Sequence, residues 1–395
     1  MTFSGSGGAG EVARNLQFGQ RSLGLDSRLE FLTSANLLAL KFKHPYLFSR
    51  ALFDYSIVRK SKDSSLFSLY RSGDRVNFQG FARNNLNIVH LHWTPGIISI
   101  GEIQSLLDAG TRVVWTLHDM WPLTGGCHHA DGCNQFQTDC KSCPQVRGPF
   151  RKNVHRSFLE KKTTFQVHGE IKLVVPSNWM KLNVEASSVF ENCETYVIPN
   201  PIDNRFFLVQ DRELARKKFG FSPEDFVVGC CATDLNDPRK SIDKIVNSVD
   251  SLNSSRTDRK VKVLAIGENR GRQWSHDVVS PGLLKDKEQM AEAYHCMDVF
   301  VSVSEAENFP LTLIEAAASK VPSVCLDRGG MSEIVLNEVT GMVIGSSQDL
   351  TGVLQSLLDD PIKLNSMAEQ ARTNAEHRYS LRKVVEIYNG VYNIL

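Results

Sequence analysis

Short apolar runs rich in β-branched residues alternate along this chain with longer stretches patterned at helical spacing. Segments 87–93, 112–117, 171–176 and 194–198 are strand-length runs, and 97–109 and the stretch opened by Ser177 read as helices. After Asn200-Pro201-Ile202-Asp203 the alternation starts again. Segments 226–231, 261–266, 299–302 and 322–326 predict strands, and 241–252, 289–295 and 312–319 predict helices. Such alternation predicts an α/β fold of parallel sheets with helices on both faces. The Asn-Pro turn reads as a hinge. It sets an expected division into a domain at 1–200, a domain at 201–375, and a C-terminal helix at 376–395 that packs back on the first. Segment 360–395 reads as two helices around Tyr379-Ser380. Open sheets of this kind bind ligands at the carboxyl ends of their strands, so two of them facing each other would frame an interdomain cleft.

The length of 395 residues agrees with two domains. Hydrophobic residues make up 42% and charged residues 23%, which is ordinary for a globular chain. Lys plus Arg is 45 and Asp plus Glu is 44. That near-neutral balance gives no bulk electrostatic case for nucleic acid as a partner. No apolar stretch approaches the ~20 residues needed to cross a bilayer. Residues 1–11 lack the basic and apolar regions of a secretory signal. The expected location is therefore the cytoplasm, where structural disulfides are not expected for most of the nine cysteines.

The chemistry concentrates in segment 302–319, which follows a predicted strand and opens a helix. Glu307 falls in the loop and Glu315, eight positions on, about one turn into the helix. Amides at a helix N-terminus favour phosphate, and two carboxylates beside them would accept hydrogen bonds from sugar hydroxyls. The plainer alternative makes Glu307 a helix cap and Glu315 a solvated surface residue. Arg239-Lys240 forms a second candidate, a pair of cations after a predicted strand and just before a helix. A guanidinium fork and a mobile ammonium at a strand's carboxyl end suit a diphosphate. A solvated basic dipeptide is the bland alternative.

Together these segments resemble the retaining glycosyltransferases of family 4, which have the GT-B fold of two doubly wound, Rossmann-like domains. The Glu-x7-Glu spacing of Glu307 and Glu315, with Phe309 and Leu311 in place, carries most of the resemblance. Arg239-Lys240, Ser177-Asn-Trp179, 198–203 and 329–334 support it. Segment 115–127 looks like a subgroup that builds bacterial exopolysaccharides, in which a Cys-rich insert follows; here the insert would span 125–147.

The resemblance implies roles residue by residue. Glu315 would hold the ribose of a nucleoside diphosphate, and Glu307 would contact the transferred sugar near O3 and O4. Asn308, Phe309, Pro310, Leu311 and Thr312 would bring backbone to the sugar and phosphates. Lys240, helped by Arg239, would bind the diphosphate, and the two cations would replace a divalent ion; no Asp-x-Asp motif is present. Leu283 and Leu284 would lie against the base. Gly7 and Gly8 would form the first domain's loop beside the diphosphate. His118 would lie near the sugar's C6 hydroxyl and the reacting centre.

Departures from the family touch some of these roles. Ser241 stands where Gly usually follows the Lys, and Asp234 where many relatives carry a second diphosphate-binding Arg. Asn308 and Pro310 stand where Gly is frequent. The Gly-rich run 5–10 has at most four residues before it, whereas such a loop normally follows a strand. Either the first strand is minimal or the native start lies upstream.

A His at a strand end can also be a hydrogen-bonded core residue, and that alternative stands beside the functional one for His118. Asp119 reads as an orienting group rather than a proton carrier. His90 and His92 read as structural, with pocket lining as the alternative. Cys127, Cys133, Cys140 and Cys143 fall within seventeen positions. Cys140-Lys-Ser-Cys143 has the spacing of a zinc half-site, while the other two are looser. A structural zinc, free thiols and disulfides are the three readings, and the insert's place beside the acceptor side suggests a part in acceptor choice.

The expected activity is a metal-independent hexosyl transfer from a nucleotide sugar, expected to be a UDP-sugar, to a polysaccharide or lipid-linked oligosaccharide. No cofactor is expected in catalysis. Arg14, Arg21, Arg28, Lys41, Lys43 and Arg50 make the N-terminal fifth basic, which suits peripheral contact with an anionic membrane, or simply a solvated face. Rival readings are a nucleotide-sugar epimerase, a sugar phosphorylase, and a non-catalytic partner subunit of a transferase.

Overall fold

The computed structural model describes residues 7–30, 49, 52–53, 56–58, 66–69, 88–255 and 258–394. Lys41, Lys43, Arg50 and the first residues of the Gly-rich run lie outside them. The chain divides into two compact units, Met1–Pro199 with Val385–Leu395, and Asn200–Val384.

The first unit holds a parallel sheet of β1 (Ile88–Leu91), β2 (Arg112–Thr116), β3 (Lys172–Val175) and β4 (Thr195–Val197), in that order. Val89, Val113, Trp115, Leu173 and Val175 are buried, as expected of parallel strands covered on both faces. Helix α1 (Gly8–Ser22) starts at the Gly-rich run: Gly7, with φ +83°, turns the chain into it. Helix α2 (Ile100–Asp108) begins three residues later than its apolar pattern predicts. Ser99 and Glu102 form a capping box there, the Ser99 hydroxyl accepting from the Glu102 amide and the Glu102 carboxylate accepting from the Ser99 amide at 2.7 Å. That reciprocal pair satisfies two orphan donors and fixes the start. Helix α3 (Arg151–Val167) and helix α4 (Asn178–Ala186), the latter capped by Ser177, complete the connections.

The second unit holds six parallel strands: β5 (Phe226–Asp234), β6 (Val261–Glu268), β7 (Val278–Gly282), β8 (Val299–Ser302), β9 (Ser323–Leu326) and β10 (Gly341–Ile344). Their order is β10-β9-β8-β5-β6-β7. It reverses between β5 and β8, the switch point at which open α/β sheets bind ligands. The sequence pattern misses β7 and β10. Both are edge strands, one carrying Pro and Gly and half-exposed along its length, the other four residues long. Helices α5 (Arg212–Phe219), α6 (Ile242–Ser255), α7 (Lys287–His295), α8 (Leu311–Ala318), α9 (Met331–Ile334), α10 (Leu350–Asp359) and α11 (Pro361–Tyr379) flank this sheet.

Helix α12 (Leu381–Ile394) ends the chain, and from Val385 onward it belongs to the first unit. Tyr388 bonds Thr116 at 3.0 Å and Tyr392 bonds His90 at 2.8 Å. Gln20 of α1 donates to Tyr392 at 3.0 Å, so the first and last described helices are bonded to each other. Among the described residues no helix is long and apolar enough to cross a membrane.

Candidate functional site

In the second unit three loops meet at the carboxyl ends of β5, β8 and β9. The turn Pro238–Lys240 follows β5 and is capped by Asp237. Its Arg239 carbonyl accepts from the Glu305 amide at 3.1 Å and the Ser304 hydroxyl at 3.2 Å, which ties the turn to the loop after β8. That loop is held from the other side by Gly330, whose amide donates to the Asn308 carbonyl at 2.8 Å. Gly329 has φ +58°, and a Cβ there would sit 1.6 Å from the Glu307 carbonyl oxygen. Gly329 is therefore required by close backbone approach.

Glu307 does not cap α8, since the cap position is Pro310, which has no side-chain acceptor. No side chain caps the first turn of α8, and amides at a helix N-terminus favour an anion. Glu307 instead forms an ion pair with Lys240 across 67 residues of sequence. Burial works against the Lys240 charge, but the adjoining Glu307 carboxylate overrides it and raises the ammonium's pKa. Arg239 is engaged differently from the expectation of two cooperating cations. Its guanidinium folds back on Asp237, with Nε at 3.0 Å and Nη2 at 2.6 Å from the carboxylate oxygens. The described geometry therefore presents Lys240, not the pair, toward Glu307. Asp234 accepts from the Asn236 amide at 2.9 Å and pairs with Arg270 at 3.5 Å.

Glu315 is not a solvated surface residue; it is 6% exposed. Its Oε2 accepts from the buried Tyr294 hydroxyl at 2.9 Å, and Lys287 Nζ stands 3.9 Å from Oε1. Burial, and then the Glu315 charge, push the Tyr294 hydroxyl well above its usual pKa, so it stays a donor. Phe309 is buried, with its carbonyl accepting from Asn200 at 3.2 Å, while Leu311 packs partly buried against the core. Thr312 lies in the first turn of α8. Leu283 is exposed and Leu284 packs against the core, just after Gly282 at φ +87°.

Ser241 has φ +52°, the left-handed conformation. This explains physically why Gly commonly follows the Lys in the resembling family. Ser241→Gly is expected to raise the second unit's stability by about 0.5–1 kcal/mol. A urea melt would show a higher midpoint, and a lower one would mean that the Ser241 hydroxyl's 3.4 Å contact to the Pro238 carbonyl outweighs the strain.

In the first unit His118 follows β2, its Nε2 3.0 Å from His92 Nδ1. Burial lowers its pKa to about 4, with Asp119 pulling weakly the other way, so the imidazole is neutral at pH 7. Asp119 accepts from the Trp121 amide at 2.8 Å and pairs with His128 at 2.7 Å. Both oxygens are thus engaged in holding the turn. Gly7 and Gly8 have no heavy atom within 4 Å of where a Cβ would stand.

The four insert cysteines line one cavity of about 10 Å³ together with Phe136 and Val154. All nine cysteines are free thiols. Among the described residues no group of three or more His, Cys, Asp or Glu side chains is arranged to hold a metal ion. Burial pushes the Cys140 thiol up to about 12 and the Cys127 thiol higher still, which favours neutral S–H groups. Hydrogen bonds order the segment. Lys161, fully buried on α3, donates to the carbonyls of Trp121 at 2.6 Å and Thr124 at 2.8 Å. Arg151 donates to the Cys143 carbonyl at 3.0 Å, and His155 bonds the Asp139 carbonyl at 2.7 Å. Sequence reasoning missed Lys161, although it lies on the same helix face as buried Val154, Phe158 and Phe165. A lysine inside an apolar stripe was the available signal.

Comparison with known proteins agrees with this architecture. Residues 211–374 match the family described as Glycosyl transferases group 1. Over 319 residues the chain is 24% identical to the putative colanic acid biosynthesis glycosyl transferase WcaC of Escherichia coli K12, covering 79% of this chain and 76% of that one. It is 23% identical over 322 residues to the N-acetyl-alpha-D-glucosaminyl L-malate synthase of Bacillus anthracis, covering 78% and 75%. Among solved structures, a glycosyltransferase from Rickettsia africae matches with a TM-score of 0.66 at 15% identity, covering 100% of this chain and 98% of that one. Anabaena Alr3699/HepE, solved in complex with UDP, matches with a TM-score of 0.64 at 14% identity, covering 100% of both chains. The two parallel sheets, the reversed strand order of the second and these matches lead to one conclusion: the chain is a glycosyltransferase of the GT-B fold, and its second unit carries a group 1 domain.

Proposed function

We propose that this glycosyltransferase moves a hexose from a UDP-sugar to a saccharide or lipid-linked saccharide acceptor, with retention of anomeric configuration and without a metal ion, in exopolysaccharide-type synthesis. The observation that carries the reading is the buried Glu315, held by Tyr294 within the first two turns of α8, with Lys240 and Glu307 paired in the neighbouring loops. Glu315 receives the ribose hydroxyls, and the α8 amides and Lys240 receive the diphosphate. Glu307 meets the sugar hydroxyls, and Leu283 and Leu284 lie by the base. From the first unit, His118 serves the sugar's C6 hydroxyl, and Gly7 and Gly8 contribute a diphosphate loop.

In the transfer the bond from C1 to the phosphate oxygen breaks and its electron pair stays on the diphosphate. The acceptor oxygen bonds C1 on the same face, and its proton passes to the departing diphosphate oxygen. Charge therefore grows on the leaving group, where a fixed ammonium and helix-terminal amides stabilise it. The WcaC likeness supports the exopolysaccharide assignment, and HepE binding UDP supports the choice of nucleotide.

Thermal shift with UDP, GDP and ADP tests the donor site. A ligand at a hundred times its Kd adds about 2.7 kcal/mol to the folded state. UDP is expected to raise the second unit's Tm by several degrees, and Glu315→Ala to abolish the shift. A shift with GDP or ADP alone would reassign the donor, and one that survives in Glu315→Ala would remove Glu315 from the site.

A further inference from the structure

His90, His92 and His118 form a row of imidazoles at the carboxyl ends of β1 and β2, and the proposed reaction uses only the last. The His90 and His92 ring centroids are 4.2 Å apart, and those of His92 and His118 are 5.2 Å apart, stacked within 20°. The row is anchored at its far end. His90 Nε2 meets Thr116 Oγ1 at 2.8 Å, and His90 Nδ1 meets the Tyr392 hydroxyl at 2.8 Å. The backbone of His92 is fixed too, because the buried Trp115 indole donates to its carbonyl at 3.0 Å. His92 itself is buried. Its ring has little freedom, and its Nδ1 lies 3.0 Å from His118 Nε2.

We infer that His92 is the positioning residue for His118, holding that imidazole in one orientation and one tautomer through the Nδ1–Nε2 hydrogen bond. The inference rests on the assignment of His118 to the transferred sugar. A neutral imidazole carries one N–H, so one nitrogen of each facing pair must donate and the other accept. The proton on His92 thus decides which nitrogen of His118 carries its own. Burial keeps both rings neutral near pH 7, so the bond is not exchanged for a pair of repelling cations. Partners that orient a working imidazole in this way are commonly worth 10–100-fold in activity, as in the second shell of metal-bound histidines.

The test compares His92→Phe with His92→Asn. Phenylalanine keeps a flat ring of similar size and removes the hydrogen bond. Asparagine restores a polar nitrogen or oxygen close to where Nδ1 stands. Imidazole nitrogen NMR on histidine-labelled protein is expected to show one His118 tautomer in the wild type and in His92→Asn, and a mixture in His92→Phe. With UDP-glucose as donor, kcat is expected to fall at least about tenfold in His92→Phe, with KM within about twofold and most of the loss recovered in His92→Asn. An unchanged His118 tautomer in His92→Phe overturns the inference. So does an equal kcat loss in both variants accompanied by a lower Tm, which would mark His92 as packing alone. If His118→Ala leaves UDP-glucose turnover untouched, the sugar assignment of His118 fails, and the NMR comparison still decides whether His92 positions it.

Discussion

Glu307→Gln is expected to lower turnover by about a hundredfold or more while leaving UDP affinity unchanged or improved. The two effects separate because the Glu307 carboxylate serves two partners. In the structure it neutralises Lys240, the cation proposed above to receive the diphosphate. In the proposed reaction it accepts hydrogen bonds from the sugar. Glutamine cannot hold the ammonium as an ion pair, so Lys240 meets the UDP phosphates without a competing carboxylate. The sugar loses a charged acceptor, and that loss is felt in the transition state. A second consequence follows from Lys240 itself. Burial pulls its pKa down and Glu307 holds it up. Without Glu307 the ammonium releases its proton at lower pH, so UDP affinity in the variant should weaken on the alkaline side where the wild type's does not. Calorimetric titration of UDP across pH, beside a turnover assay, reads both. A parallel loss of affinity and turnover would mean that Glu307 acts only by fixing Lys240.

Lys161→Met is expected to destabilise the first unit by about 2–4 kcal/mol and leave the second unchanged. The variant strips the donor from two buried carbonyls, Trp121 and Thr124, each left unsatisfied at a cost of about 1–3 kcal/mol. It also removes a cation 3.6 Å from the Trp121 ring centroid. Against this stands relief from burying an ammonium. In a domain of about 200 residues the net corresponds to a Tm lower by roughly 4–16 °C. The deficit should depend on pH. Burial lowers the folded lysine's pKa to about 7 from 10.5. Between those values the unfolded chain holds more protons than the folded one, so wild-type stability gains with rising pH, by up to about 1.4 kcal/mol per pH unit. The variant lacks that gain. The gap between the two proteins should therefore widen from about pH 6.5 to about pH 9. A gap that stays constant would show that Lys161 keeps its proton in the fold throughout that range.

The parts of this molecule that sequence reveals are those written locally. Glu307 and Glu315 straddle a strand–loop–helix transition, and their spacing alone places one in the loop and the other in α8. The Ser99-x-x-Glu102 capping box was equally local, but an apolar pattern beginning at Ile97 masked the true helix start. Other features depend on pairs far apart in the chain. Nothing in the periodicity near Lys240 points to Glu307, and nothing near Glu315 points to Tyr294. Arg239 depends on a nearer neighbour. An adjacent pair of cations reads as one phosphate site, yet Asp237, two residues earlier, claims the guanidinium. Beside the four cysteines, a lysine inside an apolar stripe secures the backbone of Trp121 and Thr124, a pairing across about forty residues that spacing alone does not disclose.

The first unit is written in two pieces, with the whole of the second unit between them. A ribosome adding ~5–20 residues per second needs roughly ten seconds or more to make residues 200–384 before Tyr388 and Tyr392 emerge. During that interval His90 and Thr116 wait without the tyrosine hydroxyls that later engage them. The second unit, continuous in sequence, can complete itself first. The nascent first half is thus an incomplete fold until those tyrosines emerge, and a chain stopped before Tyr388 would strand it rather than trim a tail.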